Sequence, residues 1–126
     1  MSGQFIAATG IYSFAPAIGT AHGLYKAEPH LMPERVSEIV AEHPIPQVLH
    51  GGTGLTDEIY KKLISLGAAK VNISTALKKH YADSFTNYIG AHPTEYEPMK
   101  LLGAVQKDVI ALVQSYLKKF GSENQV

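Results

Sequence analysis

The chain has 126 residues, room for one ordinary domain. At 45% hydrophobic, 9% aromatic and 17% charged, its composition excludes a disordered, collagen-like or low-complexity protein. Eleven lysine and arginine residues balance eleven aspartate and glutamate residues, so no net field draws the chain to nucleic acid or to an anionic membrane surface. It contains no cysteine, which removes disulfides, thiolate metal sites and cysteine nucleophiles; with no apolar run near the roughly 18 residues of a membrane span and no basic leader, a soluble cytoplasmic protein is expected.

In chain order, Gln4 to Gly10 reads as the tail of a helix that starts further upstream. Residues 13–18 read as a first strand, weakened by Pro16, and run into Gly19-Thr20-Ala21-His22-Gly23. Pro33 opens a helix with an apolar stripe at Val36, Ile39 and Val40. Residues 46–50 form a second strand, followed by Gly51-Gly52-Thr53-Gly54. Thr56 caps the next helix, Asp57 and Glu58 occupy its first turn, Ile59, Leu63 and Leu66 face inward, and Gly67 stops it. Residues 69–73 form a third strand leading to Ser74 and Thr75. A helix with Leu77, Tyr81, Phe85 and Tyr88 then runs to Gly90, its aromatic stripe read as packing. After His92-Pro93 a last long helix carries Leu101, Val105, Leu112, Tyr116 and Phe120 to Gly121. Strand, turn and helix repeated three times predict an α/β fold with parallel strands. Three such strands leave two open edges, so residues 1–126 read as a single segment, the back end of a larger barrel or open sheet.

His22 and His50 end consecutive strands, where α/β barrels place functional groups. Parallel neighbours lie about 4.8 Å apart, which lets two imidazoles converge on one ion at about 2.0–2.1 Å from each nitrogen. Each is equally readable as a hydrogen-bonded loop histidine, and two ligands fall short of the usual three. His30, His43, His80 and His92 sit in helical or connecting contexts and read as surface residues. The glycine turn at residues 51–54 allows backbone N–H groups close to an oxyanion, while Asn72-Ile73-Ser74-Thr75 opens a helix, whose N-terminus suits phosphate or is simply capped. Tyr25 and Lys26 read as an exposed loop pair. No serine triad, paired carboxylates or dinucleotide fingerprint is visible.

Three motifs, Gly19-Thr20-Ala21-His22-Gly23-Leu24-Tyr25, Val48-Leu49-His50-Gly51-Gly52-Thr53-Gly54 and Lys70-Val71-Asn72-Ile73-Ser74-Thr75, together resemble the class II ketose-bisphosphate aldolases. That family includes the zinc-dependent fructose-bisphosphate and tagatose-bisphosphate aldolases. The resemblance in order and spacing runs from residue 5 to residue 121. It implies a partial TIM (β/α)8 barrel, the last three βα units plus a C-terminal helix. It further implies Zn2+ on His22 and His50, with Gly23, Gly51, Gly52 and Thr53 at the phosphate of dihydroxyacetone phosphate. Asn72 is implied near the reacting carbons, with Ile73, Ser74 and Thr75 near phosphate, and some members hold a monovalent cation by the glycine loops.

The implied activity is that of a glycolytic-type lyase: reversible aldol cleavage of a ketose 1,6-bisphosphate to dihydroxyacetone phosphate and glyceraldehyde 3-phosphate. No catalytic residue carries over. The family's proton-transfer aspartate belongs to an Asp-His motif together with a third zinc histidine. The aspartates here are Asp57, Asp83 and Asp108, and none precedes a histidine. The expectation is a truncated chain, inactive alone, that self-associates or is completed by an N-terminal half. The alternative is a non-catalytic sugar-phosphate-binding or interaction module. Fructose and tagatose bisphosphates differ at one carbinol centre, and Arg35, the only arginine, lies in a helix, so the sequence does not choose between them.

Overall fold

The computed structural model describes residues 2–24, 27 and 29–125. Among them the elements are α1 (Ser2–Thr9), α2 (Glu34–Glu42), β1 (Gln47–Leu49), α3 (Asp57–Ser65), β2 (Ala68–Val71), α4 (Thr75–Ala91) and α5 (Pro98–Phe120). They fall into two compact units, residues 1–73 and 74–126.

In the first unit β1 and β2 pair in parallel, with Gln47 opposite Ala68, Val48 opposite Lys70 and Leu49 opposite Val71. α3 is the crossover between them, as the strand-helix-strand pattern predicts. The expected first strand over residues 13–18 shrinks to one parallel bridge, Phe14 to Gln47. Phe14 donates its N–H to Pro46 O at 3.0 Å and accepts from Val48 N at 2.8 Å. Pro16 has no N–H to extend that ladder, so pairing ends there. β1 thus lies between Phe14 and β2.

Alternation along these segments sorts their side chains. Pro16, Ile18, Gln47 and Leu49 are buried, with Ile6, Val36, Ile39, Tyr60 and Leu63 supplied by the helices. On the opposite parity Ala15 and Ala17 are exposed and Val48 is half-buried, whereas half-buried Val71, opposite Leu49 in the register, shares that residue's face. Pro33 stands at the N-cap of α2, where Val36 and Ile39 are buried and Val40 is half-buried. Lys62 of α3 donates to Glu34 of α2 at 2.6 Å, which holds the Glu34 carboxyl below the usual carboxylate range.

Thr56 caps α3 by accepting from Ile59 N at 3.4 Å. The Glu58 carboxyl lies below its ordinary value, chiefly through its own backbone N–H and then through the Thr56 hydroxyl. The predicted inward stripe of α3 is displaced. Tyr60 and Leu63 are buried, whereas Ile59 and Leu66 are only half-buried.

In the second unit α4 packs against α5. Ser84, the buried residue of α4, donates its hydroxyl to Asp108, and His80 Nε2 lies 3.1 Å from the Asp108 carbonyl oxygen. α4 continues through Gly90, the expected stop, to Ala91. The helix thus ends one residue past the glycine, and Pro93 just beyond cannot continue its ladder. The aromatic stripe is not core: Tyr81 is 49% exposed and packs edge-on to Phe85 at 5.0 Å, while Tyr88 stacks on His92 at 4.4 Å. α5 starts at Pro98 and ends where Gly121 adopts a left-handed conformation, φ 67°. No helix among the described residues is long and apolar enough to cross a membrane.

Candidate functional site

Three loops meet at the C-terminal ends of the parallel segments in the first unit. Gly51 follows β1 with φ +68°, and a Cβ there would stand 2.4 Å from Ala21 O, 2.6 Å from Ala21 C and 2.9 Å from Ala21 N. Only glycine permits that backbone-on-backbone approach. It brings the loop carrying His22 against the loop carrying His50. The two imidazoles lie with ring centres 5.6 Å apart and planes inclined at 60°.

The third loop follows β2. Asn72 donates its backbone N–H to Leu49 O at 2.9 Å, and its side-chain Nδ2 lies 3.1 Å from His50 Nε2. Next to it Ile73 reaches back, since a Cβ on Gly52 would be 3.2 Å from Ile73 Cδ1. The Gly52 carbonyl accepts from Leu55 N at 3.1 Å and from the Tyr60 hydroxyl. Thr53 is buried beside it, 7% exposed.

Of the residues singled out by sequence, His22, His50, Gly51, Gly52, Asn72 and Ile73 are therefore drawn together, with Thr53 next along the turn. Gly23 adjoins His22 at φ +97°, with nothing within 4 Å of a Cβ. Ser74 precedes α4 and Thr75 is its first residue, so both open the second unit directly after Ile73 in the chain. Tyr25 and Lys26 lie outside the described residues. The remaining histidines are engaged elsewhere: His43 lies 3.5 Å from Glu42, His80 reaches the Asp108 carbonyl, and His92 Nδ1 lies 3.1 Å from Tyr88 O. His30 is exposed, its carbonyl against Gly19.

The donor set suits a borderline cation in part. Two imidazoles sharing one ion, at about 2.0–2.1 Å from each nitrogen, bring their ring centres to roughly 5 Å, close to the spacing observed here. One ring nitrogen of His50 is already held by Asn72, the kind of outer contact that orients a ligating histidine. Among the described residues no group of three or more His, Cys, Asp or Glu is arranged to hold a metal, so the pair would form only part of a coordination sphere. Sequence reading missed Tyr60 and Ala21. Tyr60 had one available signal, its i, i+3 spacing to Leu63, which marks the two as one helix face.

Parallel strands with glycine loops and histidines at their C-terminal ends are the arrangement of α/β enzymes that bind ligands there. A family model described as class-II fructose-bisphosphate aldolase matches residues 2–125, and the chain belongs to that family. It is 40% identical over 122 residues to the "Probable fructose-bisphosphate aldolase" of Bacillus subtilis (strain 168), which covers 97% of this chain and 43% of that protein. It is 43% identical over 113 residues to the D-tagatose-1,6-bisphosphate aldolase subunit GatY of Klebsiella oxytoca, covering 87% of this chain and 40% of that one. Among solved structures, the YdjI aldolase of Escherichia coli K12 superposes with a TM-score of 0.82 at 31% identity, covering 98% of this chain and 44% of that chain. The chain thus spans about two fifths of the length of the curated relatives it matches.

Proposed function

We propose that this chain supplies one part of the active site of a zinc-dependent class II ketose-bisphosphate aldolase, a cytoplasmic lyase of carbohydrate metabolism. In this reading residues 1–126 are one segment of a (β/α)8 barrel. Exposed Ala15 and Ala17 and half-buried Val48 would then face the barrel interior, where further strands would complete the side-chain layers. The observation that carries the reading is the convergence of His22 and His50, 5.6 Å apart, at the mouth of two glycine loops.

His22 and His50 hold the zinc, which when bound supplies Lewis-acid polarisation of the substrate carbonyl. Asn72 keeps the His50 ring oriented through its Nε2 and stands near the reacting carbons. Gly23, Gly51, Gly52 and Thr53 bind the phosphate of dihydroxyacetone phosphate through backbone N–H groups and the threonine hydroxyl. Ile73, which lies against Gly52, extends that site, and Ser74 and Thr75 are the next substrate-binding positions that the family resemblance implies. Together these contacts hold the three-carbon half of the substrate in reacting geometry. The proton-transfer aspartate and the remaining zinc ligand come from a segment or chain beyond this sequence, which contains no Asp-His pair.

Calorimetric zinc titration of wild type, His22→Ala, His50→Ala and the double variant tests the ligand assignment. Each single variant is expected to bind zinc more weakly by at least the roughly 10–100-fold typical of losing an outer-sphere partner, and the double variant to lose the site. A double variant with wild-type zinc affinity would show that other residues hold the metal.

A further inference from the structure

We propose that Tyr60 is a positioning residue that sets the anion-binding conformation of the turn at residues 51–53. Tyr60 lies within α3, is 1% exposed, and donates its phenolic hydroxyl to the Gly52 carbonyl. The same carbonyl accepts from Leu55 N at 3.1 Å, so both of its acceptor directions are used. Across a planar trans peptide the carbonyl and the following N–H point opposite ways. Drawing the Gly52 carbonyl toward the Tyr60 hydroxyl therefore turns the Thr53 N–H away from it.

The turn has little freedom to adopt another arrangement. Ala21 backbone presses on Gly51, Ile73 lies against Gly52, and a Cβ on Gly52 would be 2.9 Å from the phenolic oxygen. Packing alone would be satisfied by phenylalanine at position 60. A buried hydroxyl is retained only with a partner, and here the partner is the backbone of the turn. Tyr60 acts through that backbone and touches no substrate. The inference rests on the reading above that this turn binds phosphate.

The test uses isotopically labelled chain, the variant Tyr60→Phe, which keeps the ring and deletes the donor, and Leu63→Val as a packing control on the same helix. NMR first follows the Gly52 carbonyl carbon and the Thr53 amide without ligand. Inorganic phosphate is then titrated against the Gly51, Gly52 and Thr53 amides. Tyr60→Phe is expected to shift the Gly52 carbonyl and to weaken phosphate about three- to tenfold, the effect of one net hydrogen bond, while Leu63→Val binds as wild type does. Wild-type phosphate affinity in Tyr60→Phe overturns the proposal, as does an equal loss in Leu63→Val or collapse of the Tyr60→Phe amide spectrum, since either makes the residue merely structural. Wild type that shows no saturable shift at the three amides refutes the phosphate reading and this role with it. Wild type that binds while Tyr60→Phe is unaffected removes the role alone.

Discussion

Replacing Gly51 by alanine should damage the meeting of the two histidine loops. Two costs add. The backbone at Gly51 has φ +68°, a region that costs an L-residue with a Cβ about 1–2 kcal/mol. The new methyl would also sit 2.4 Å from Ala21 O and 2.6 Å from Ala21 C, atoms of a backbone that cannot rotate aside, and overpacking of this kind costs about 1–3 kcal/mol. The sum, about 2–5 kcal/mol, is a large fraction of the roughly 5–15 kcal/mol that holds a domain. Gly10 separates the two terms, because it has nearly the same φ, +62°, and nothing within 4 Å of a Cβ. Urea denaturation is expected to show Gly10→Ala losing the backbone term alone and Gly51→Ala losing both. If His22 and His50 hold zinc as proposed, its affinity should fall only in Gly51→Ala, since the methyl pushes Ala21 and the adjacent His22 away from His50. Equal destabilisation of the two variants would refute the close approach of the loops, and unchanged zinc binding in Gly51→Ala would count against the proposed histidine pair.

Thr56→Ala removes the hydroxyl that caps α3; with the cap bond at 3.4 Å the loss should be near the lower end of the usual range, about 0.5–1 kcal/mol by urea denaturation. The Glu58 carboxyl should then titrate closer to its ordinary value in an NMR pH series, because Thr56 is one of the groups holding it down. Acid should destabilise the first unit in a defined window. Lys62 holds Glu34 below its ordinary value of 4.5, so the stability from that pairing is present above that pH and is lost as pH falls through the lowered folded-state value. Thermal unfolding should therefore hold level from neutral pH to about 5 and decline below about 4.5, with a shallower decline in Glu34→Gln; an identical acid limb in the variant would remove the pair from the account.

The elements that follow local rules were legible without coordinates. Thr56, Asp57 and Glu58 announce the start of α3, Gly121 the end of α5, and the alternation of short apolar runs with helical stripes the parallel crossover from β1 to β2. The approach of His22 and His50 was also open to reading, because residues at matching ends of parallel neighbours can come together, whereas the contact of Asn72 with His50 was not. Other features had no local signature. Residues 13–18 have strand-like composition, yet only Phe14 pairs, because what continues a ladder is an N–H facing a partner and Pro16 has none.

The sequence by itself determined the α/β order, the helix caps, the balanced charge and the residue types available at the loop ends, because each depends on neighbours a few positions away or on composition alone. Only the tertiary structure decided that Ala21 backbone abuts Gly51, that Ile73 lies against Gly52, and that Tyr60 rather than Ile59 turns inward to bind the Gly52 carbonyl. The rotation of a helix about its axis is set by the summed burial of its whole face, and the approach of two loops by how their parent segments are stacked. Neither is encoded in the spacing of any few residues.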